Sequence, residues 1–201
     1  MAYRVIHYIN QFFGGIGGEE KADIAPEVRD GIVGPGIALN KALEGKAEIV
    51  ATIICGDNYA AEHLEELEAT VLEWIRSENP DLFIAGPAFA AGRYGTACGH
   101  LCNAVATKLK IPVITAMHPV SPGVDIARRN VYIVETKDSA RDIGAAAAAM
   151  VRIADKLLRG EPVRRAARGR LAGDDSDAAF GADASAAAGR VERKAGLCGG
   201  L

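Results

Sequence analysis

Strand-like and helix-like segments alternate along this chain from residue 3 to about residue 159. Short apolar and β-branched runs, typical of buried strands, occupy residues 4–9, 48–55, 81–85, 112–117 and 131–135. Apolar residues at three- and four-residue steps predict helices over residues 37–43, 60–77, 96–109 and 138–159. Strands and helices that alternate in this way indicate an α/β protein. We therefore expect a three-layer sandwich with a mostly parallel sheet, of the flavodoxin-like or Rossmann-like type.

Composition excludes several classes of protein. Hydrophobic residues make up 49% of the 201 residues, which is enough for a sizeable core. The net charge of −3 leaves no basic excess for a nucleic-acid backbone. No apolar run approaches the roughly 20 residues of a membrane span, and the N-terminus does not resemble a signal peptide. The four cysteines have neither zinc-type nor disulfide spacing. We expect no nucleic-acid or membrane partner, no metal and a cytoplasmic location.

The character of the chain changes after Val163. Ala, Arg and Gly account for 24 of the 38 residues from 164 to 201, and no apolar periodicity is present. Such a composition does not favour a packed core. We therefore divide the chain into an α/β domain, residues 1–163, and a disordered low-complexity tail, residues 164–201. The tail also has the composition expected of a truncated or frame-shifted reading frame.

The loops that follow the strands are the expected binding region. In open α/β sheets, ligands bind beyond the carboxyl ends of the strands. Here these ends lead into residues 10–20, 55–58, 86–95 and 117–120. These loops are also the most polar and glycine-rich parts of the domain, so two independent arguments indicate the same region.

The first loop is glycine-rich and ends in two acids. Glycines within residues 14–18 let backbone N–H groups approach a ligand. The spacing is not that of a dinucleotide fingerprint, and Glu19 and Glu20 would repel a phosphate. Two interpretations remain open. The segment is a flexible or docking loop, or it places Glu19 or Glu20 beside the amine of a substrate.

Arg93 and Tyr94 lie in the loop before a predicted helix. A guanidinium there can hold a carboxylate through two parallel hydrogen bonds, and the helix N-terminus favours the same anion. Tyr94 would add a wall and a hydroxyl group to the site. The alternative is that Arg93 is a surface side chain that covers apolar area.

The remaining candidates are thiols, one acid and one histidine. Cys55 ends a buried strand, and a thiol beside a helix N-terminus would have a lowered pKa. It could equally pack as a small apolar residue, while Asp57 either caps the next helix or lies at the substrate site. Cys98 and Cys102 share one helical face, as a thiol pair or simply as small packing residues. His118 could act as a general acid or base, or as a hydrogen-bonded structural residue.

Several segments together resemble the selenoprotein subunit of glycine/sarcosine/betaine reductase component B, to which a D-proline reductase subunit is also similar. They are VIHYINQFF (5–13), GIGGEEKAD (15–23), VGPG (33–36), ATIICGD (51–57), AGPAF (85–89) and AGRYG (91–95). The resemblance covers about residues 3–163. It implies an amino-acid-degrading oxidoreductase that cleaves the C–N bond of glycine, sarcosine or betaine within a system that forms acetyl phosphate.

The resemblance also implies cofactors and partners. A companion subunit would carry a pyruvoyl group that captures the substrate amine, and a selenocysteine would attack the α-carbon. A small selenoprotein and a thioredoxin-type electron donor would complete the system. This chain has no selenocysteine, and Cys198 lies in an Ala/Gly-rich setting. We therefore expect an N-terminal portion without the nucleophile. A non-catalytic flavodoxin-like domain that binds a small molecule or docks a subunit, and a truncated remnant, are the alternatives.

Overall fold

The protein is described by a computed structural model that covers residues 2–165 and 178–181. Its strands form a sheet in the order β2-β3-β1-β4-β5-β6-β8-β7. Their bounds are β1 Tyr3–Asn10, β2 Glu27–Asp30, β3 Ala47–Cys55, β4 Leu82–Phe89, β5 Val113–Met117, β6 Tyr132–Glu135, β7 Arg164–Arg165 and β8 Ala178–Gly181. Strands β3, β1, β4, β5 and β6 are mutually parallel, whereas β2 and β8 pair antiparallel with β3 and β6.

Helices cover both faces of the sheet. They are α1 Gly36–Leu43, α2 Asp57–Glu62, α3 Leu64–Glu78, α4 Gly92–Ala104, α5 Pro122–Ala127 and α6 Ile143–Leu158. On one face, alternate strand residues such as Ile6 and Phe83 pack with α3, α4 and α5. On the other, residues such as Val5 and Ile84 pack with α1 and α6. The predicted three-layer α/β sandwich with a mostly parallel sheet is confirmed.

Three predicted boundaries differ from the structure. The helix predicted over residues 60–77 is two helices, α2 and α3, because the backbone at His63 leaves the helical region with φ −123°. The helix predicted from residue 96 already begins at Gly92, and it continues past Ala104 as a π-helical turn, Val105–Leu109. At the start of the last helix, a 3-10 turn, Ala140–Asp142, precedes α6.

Within residues 2–163, two of the strands and α-helices had no counterpart in the sequence-based prediction. Strand β2 is exposed at all four positions, so it lacks the apolar run that marked the other strands. Helix α5 is only six residues long, and its buried positions include Gly123 and Ala127, which carry little hydrophobic signal. Both elements form because they pair or pack with distant parts of the chain.

The segment predicted to be a disordered tail lies mostly outside the described residues. Only the backbone of residues 164–165 and 178–181 is described there, so the division at residue 163 stays a prediction. Within the described part of the chain, no helix is long and apolar enough to cross a membrane.

The order of the strands brings four loops to one edge. Strand β1 lies between β3 and β4, and β5 lies next to β4. Because these strands are parallel, their carboxyl ends at Asn10, Cys55, Phe89 and Met117 lie side by side. We call this side the carboxyl edge, and the opposite side, where the strands begin, the amino edge.

Candidate functional site

A cavity of about 360 Å³ opens at the carboxyl edge. Its walls come from the loop after β1, the start of α2, the end of β4, the start of α4 and the turn before α6. The lining combines three carboxylates, two carboxamides and four aromatic rings, and no basic residue is part of it. The lining residues are Asn10, Gln11, Phe12, Phe13, Gly18, Glu19, Asp57, Ala88, Phe89, Ala90, Ala91, Tyr94, Asp138 and Ala140. A small, acidic cavity with aromatic walls suits a ligand that carries positive charge.

Two carboxamides at the end of β1 fix the acid at the cavity wall. The Asn10 side chain donates from Nδ2 to Asp57 Oδ2 at 2.9 Å, and its Oδ1 accepts from the Phe13 backbone N–H at 3.0 Å. The Gln11 carboxamide accepts the Asp57 backbone N–H at 3.0 Å. Neither carboxamide was among the predicted site residues, although both directly follow a buried strand. Their position after the strand was the available signal.

Asp57 is held in a partly dry setting. It is the first residue of α2, but Gly56 is the N-cap and no side chain caps the helix, so the predicted capping by Asp57 is wrong; Asp57 lines the cavity instead. Burial raises the pKa of its carboxyl group, against the hydrogen bond from Asn10 and the charge of Arg93. Its Oδ1 atom is buried without a hydrogen-bond partner among the described residues. The charge of Asp57 is therefore only partly compensated.

The backbone of the first loop lies directly against α2. A Cβ added at Gly56 would lie 2.1 Å from the Ala22 carbonyl oxygen, so only glycine permits this approach. The same carbonyl accepts the backbone N–H groups of Asn58 and Tyr59 at 2.8 and 3.1 Å. This packing lies beside Glu19, the acid of the loop that lines the cavity.

Arg93 is not among the lining residues, but it binds Glu19, which is, and we call the position of this ion pair the mouth of the cavity. The Arg93 Nη2 atom donates to both carboxylate oxygens of Glu19, at 2.6 and 2.8 Å, and Nη1 donates to the Asn58 side-chain oxygen. The hydrogen bond to Glu19 raises the pKa of the guanidinium. Arg93 lies in the first turn of α4 rather than in a preceding loop. Both residues were predicted as ligand contacts, and the structure joins them to each other.

Glu20 is placed differently from its neighbour. It is exposed, and its Oε1 atom accepts the Gly18 backbone N–H at 3.0 Å. Backbone hydrogen bonds at Glu20 and Gly18 lower its pKa. Glu20 does not belong to the cavity lining, so the structure separates the two predicted acids. Glu19 lines the cavity, whereas Glu20 accepts a backbone hydrogen bond within its own loop.

Tyr94 forms part of the cavity wall, but its side chain is fully buried. Its ring centroid lies 5.9 Å from that of Phe13 and 6.2 Å from that of Tyr8. Burial raises the pKa values of both tyrosines, and the neighbouring thiols Cys55 and Cys98 act in the same direction at Tyr8. Tyr94 therefore belongs to the wall, and its predicted contact with a substrate stays a prediction.

The three described thiols are buried and protonated. Burial and the negative charge of Asp57 raise the pKa of Cys55 to about 12, so the hypothesis of a lowered pKa at Cys55 is wrong. Burial likewise raises the pKa values of Cys98 and Cys102, both on α4. The apolar-packing interpretation fits all three, because a thiolate is the reactive form of cysteine. Cys198 lies outside the described residues.

The last of the predicted site residues, His118, lies away from the cavity. The His118 ring accepts the Val120 backbone N–H at Nδ1 over 3.2 Å, and the backbone N–H of His118 donates to the Phe89 carbonyl at 2.9 Å. It therefore shapes the turn after β5 and does not line the cavity. Within the ranges that the structure describes, no group of three or more His, Cys, Asp or Glu residues could hold a metal ion.

A family model and individual relatives of known name both match this chain, and they indicate the same protein family. A family model described as glycine/sarcosine/betaine reductase selenoprotein B matches residues 2–192. The glycine reductase complex component B subunit gamma of Carboxydothermus hydrogenoformans is 54% identical over 161 residues, which cover 80% of this chain and 37% of that protein.

Two further relatives come from Peptoclostridium acidaminophilum. Its sarcosine reductase complex component B subunit beta is 49% identical, over 80% of this chain and 37% of the relative. Its betaine reductase complex component B subunit beta is 42% identical, over 80% and 36%. The chain thus spans little more than a third of the length of these curated relatives. No solved structure matches it significantly.

Proposed function

The chain belongs to the glycine/sarcosine/betaine reductase selenoprotein B family, as its sequence motifs predicted, and on that premise we propose that it binds the small zwitterionic substrate of a reductase complex. The observation that carries this proposal is the cavity at the carboxyl edge, with carboxylates on its wall and one guanidinium at its mouth. The relatives are named as components of glycine, sarcosine and betaine reductase complexes.

The charges of the site suit a molecule with an ammonium group and a carboxylate close together. Arg93 supplies planar, bidentate recognition of the carboxylate, which a lysine does not reproduce. Glu19 and Asp57 supply negative charge for the ammonium end. Phe13 and Phe89 contribute apolar walls, on which methyl groups of a methylated amine would pack. The cavity volume of about 360 Å³ suits a small ligand.

The role of this chain is to bind and orient the substrate. The family resemblance implies a pyruvoyl group on a companion subunit and a selenocysteine nucleophile, which together supply the C–N cleavage. This sequence contains no selenocysteine, and the described thiols are buried with raised pKa values. A small selenoprotein and a thioredoxin-type donor are the further partners that we propose for the complex.

A second candidate function is a binding domain that takes no part in turnover. The burial of Cys55, Cys98 and Cys102 favours it, because none of these thiols faces a ligand as a thiolate. This candidate differs from the first in one respect only. The domain would hold the small molecule or dock a subunit without handing a substrate to the reductase chemistry.

Calorimetric titration of the full chain with glycine, sarcosine and betaine tests the binding proposal. We expect at least one of the three to bind, and any that bind to compete with one another for the same site. Alanine, added as a larger zwitterion, and ethylamine, which lacks the carboxylate, serve as ligand controls. Absence of binding for all three ligands would reject the proposed site.

A turnover assay separates the two candidate functions. The chain is combined with the companion components and a dithiol, and C–N cleavage of the ligand that binds is measured. We expect no turnover by the isolated chain. Stimulation of cleavage in the reconstituted complex would support the first candidate, whereas binding without any stimulation would support the second. Cleavage that Cys198→Ser abolishes would show that this residue takes part directly.

A further inference from the structure

We propose that Glu19 determines which ligands the site accepts, because it holds Arg93 until a ligand carboxylate displaces it and then faces the ligand's ammonium group. This inference rests on the proposed function and concerns the same cavity. It assigns to Glu19 a specificity-determining role: zwitterions are accepted, and simple monoanions are rejected.

The guanidinium of Arg93 is already occupied in this structure. Its Nη2 atom donates to both Glu19 oxygens and its Nη1 atom donates to Asn58. These three residues come from three separate elements, the turn after β1, α2 and α4. A ligand carboxylate has the same chemistry as the Glu19 side chain, so it competes with Glu19 for the Nη2 donor of Arg93.

The displacement is energetically accessible. The side chains of Arg93 and Glu19 are 43% and 70% exposed, so water screens their attraction. Exposed ion pairs of this kind contribute little to stability. Glu19 also sits on a short 3-10 turn, Glu19–Lys21, that follows a glycine-rich loop, where side-chain rotation meets little packing.

Displacement by a simple monoanion would leave the cavity with uncompensated negative charge. The lining holds the carboxylates of Glu19, Asp57 and Asp138, and no basic side chain is among the lining residues. Lys137, next to Asp138 in sequence, lies 3.7 Å from the carboxylate of Asp142 instead. Asp23 adds a further negative charge near Arg93. A monoanion therefore gains an attractive contact with Arg93 but is repelled by several carboxylates.

A zwitterion avoids this cost. Its carboxylate replaces the Glu19 carboxylate on Arg93, and its ammonium group then offsets the freed Glu19 and the partly compensated Asp57. The Asn10 carboxamide donates to only one oxygen of Asp57, which leaves the other oxygen without a hydrogen-bond partner among the residues that the structure describes. Glu19 therefore acts on both halves of the ligand, as a competitor for one and a partner for the other.

Glu20 provides a matched control. It is the adjacent residue and carries the same charge, but its carboxylate accepts the Gly18 N–H and it is not part of the cavity lining. Glu20→Gln changes the net charge of the loop as Glu19→Gln does, without touching the ion pair at the cavity mouth.

The experiment compares glycine, as the zwitterion, with acetate, as the monoanion, by calorimetric titration of the full chain at low ionic strength. For the unaltered protein we expect glycine to bind at least about tenfold more tightly than acetate. In Glu19→Gln, acetate should bind about threefold more tightly and glycine about twofold more weakly, so that a tenfold ratio falls to about twofold. Glu20→Gln should keep the original ratio, and thermal unfolding checks that each variant is folded.

The outcomes distinguish this inference from the proposed function. If glycine binds but its ratio to acetate is the same in Glu19→Gln as in the unaltered protein, the role of Glu19 is refuted and the binding site stands. If Glu20→Gln lowers the ratio as much as Glu19→Gln, only overall charge matters, and the inference again fails. If neither glycine, sarcosine nor betaine binds the unaltered protein, the proposed function fails and this inference fails with it.

Discussion

Two arginine–glutamate pairs with nearly the same geometry lie at opposite edges of the sheet. At the amino edge, Arg4 Nη2 lies 2.6 Å from Glu78 Oε2, and at the carboxyl edge Arg93 Nη2 lies 2.6 Å from Glu19 Oε1. The arginine side chains are 46% and 43% exposed. The shortest N–O distance and the exposure of the arginine therefore do not distinguish the two pairs.

Their surroundings differ. The Arg4 pair joins the start of β1 to the end of α3, and the Arg4 backbone N–H donates to Asp81 at 2.9 Å just before β4. This arrangement fastens the end of a helix to the strand beside it. The Arg93 pair instead lies across the mouth of a cavity that Glu19 lines. The position of an ion pair in the fold, rather than the distance between its charged atoms, therefore makes it a candidate for ligand binding.

The largest effect is expected from breaking the support beneath the carboxyl-edge pair. A Cβ added at Gly123 in α5 would lie 1.9 Å from the Gly95 carbonyl oxygen in α4. Gly123→Ala should force the two helices apart and lower the free energy of unfolding by about 3 kcal/mol. It should also weaken glycine binding, because the displaced helix α4 carries Tyr94 and Arg93. Urea unfolding and titration measure both effects.

Gly144 provides the control for that substitution, because nothing lies within 4 Å of a Cβ added there. Gly144→Ala, in α6 on the other face of the sheet, should leave stability unchanged or slightly raised. Equal stability of Gly123→Ala and the unaltered protein would show that α4 does not depend on this close approach.

The next effect concerns pH and the strand that joins the two edges. Burial, partly offset by the hydrogen bond to the Gly86 carbonyl at 2.7 Å, lowers the pKa of His7 in the middle of β1 from 6.5 to about 4. Because the unfolded chain takes up the proton more readily, stability should fall as pH drops from 6.5 towards 4. The loss amounts to about 3 kcal/mol at pH 4.

His7→Gln removes the titration and keeps a donor for Gly86. The variant should therefore lose less stability than the unaltered protein between pH 7 and pH 4. Urea unfolding of both proteins at the two pH values gives the difference that belongs to the imidazole. Parallel curves for the two proteins would contradict the prediction.

A pair of conservative substitutions tests whether the two arginines differ in their contribution to glycine binding. Arg93→Lys should weaken glycine binding by about 1–3 kcal/mol, because lysine cannot form the two parallel hydrogen bonds to a carboxylate. Arg4→Lys should leave binding unchanged, since Arg4 lies at the far edge. Titration of both variants decides the matter, and an equal loss in the two would remove the distinction between the edges.

The smallest effect is on stability. Arg4→Gln and Arg93→Gln should each cost less than about 1 kcal/mol, because both pairs are exposed to water. The two losses should shrink together at high salt, where exposed charges are screened. Denaturant unfolding at low and high salt measures them. A much larger loss for Arg93→Gln would mean that its pair holds the fold together, as well as facing the cavity.

The fold could be predicted from the sequence because its main strands are continuous apolar runs and its long helices have apolar stripes. The stripe of α3, with Leu67, Val71 and Ile75, is an example that the structure buries fully. Strand β2 has no such pattern, since its partner β3 rather than its own side chains keeps it in the sheet. The same limit applies to α5, which packs through glycine.

The site was only partly predictable. Glu19, Asp57 and Tyr94 line the cavity, and Arg93 lies at its mouth. These four residues could be named as candidates because the sequence shows which loops follow which strands. Sequence alone could not show that Arg93 and Glu19 bind each other across 74 residues. It also could not show that burial, not the helix start, sets the pKa of Cys55.

The central place of β1 has a consequence for how the chain acquires its shape during synthesis. Strand β1 is synthesised before both of its parallel neighbours, so it gains its first neighbour when residues 47–55 emerge and its second when residues 82–89 emerge. An apolar strand that waits for distant partners is slow to pair and open to aggregation. A nascent chain of this protein should therefore depend on chaperone protection until β4 has left the ribosome.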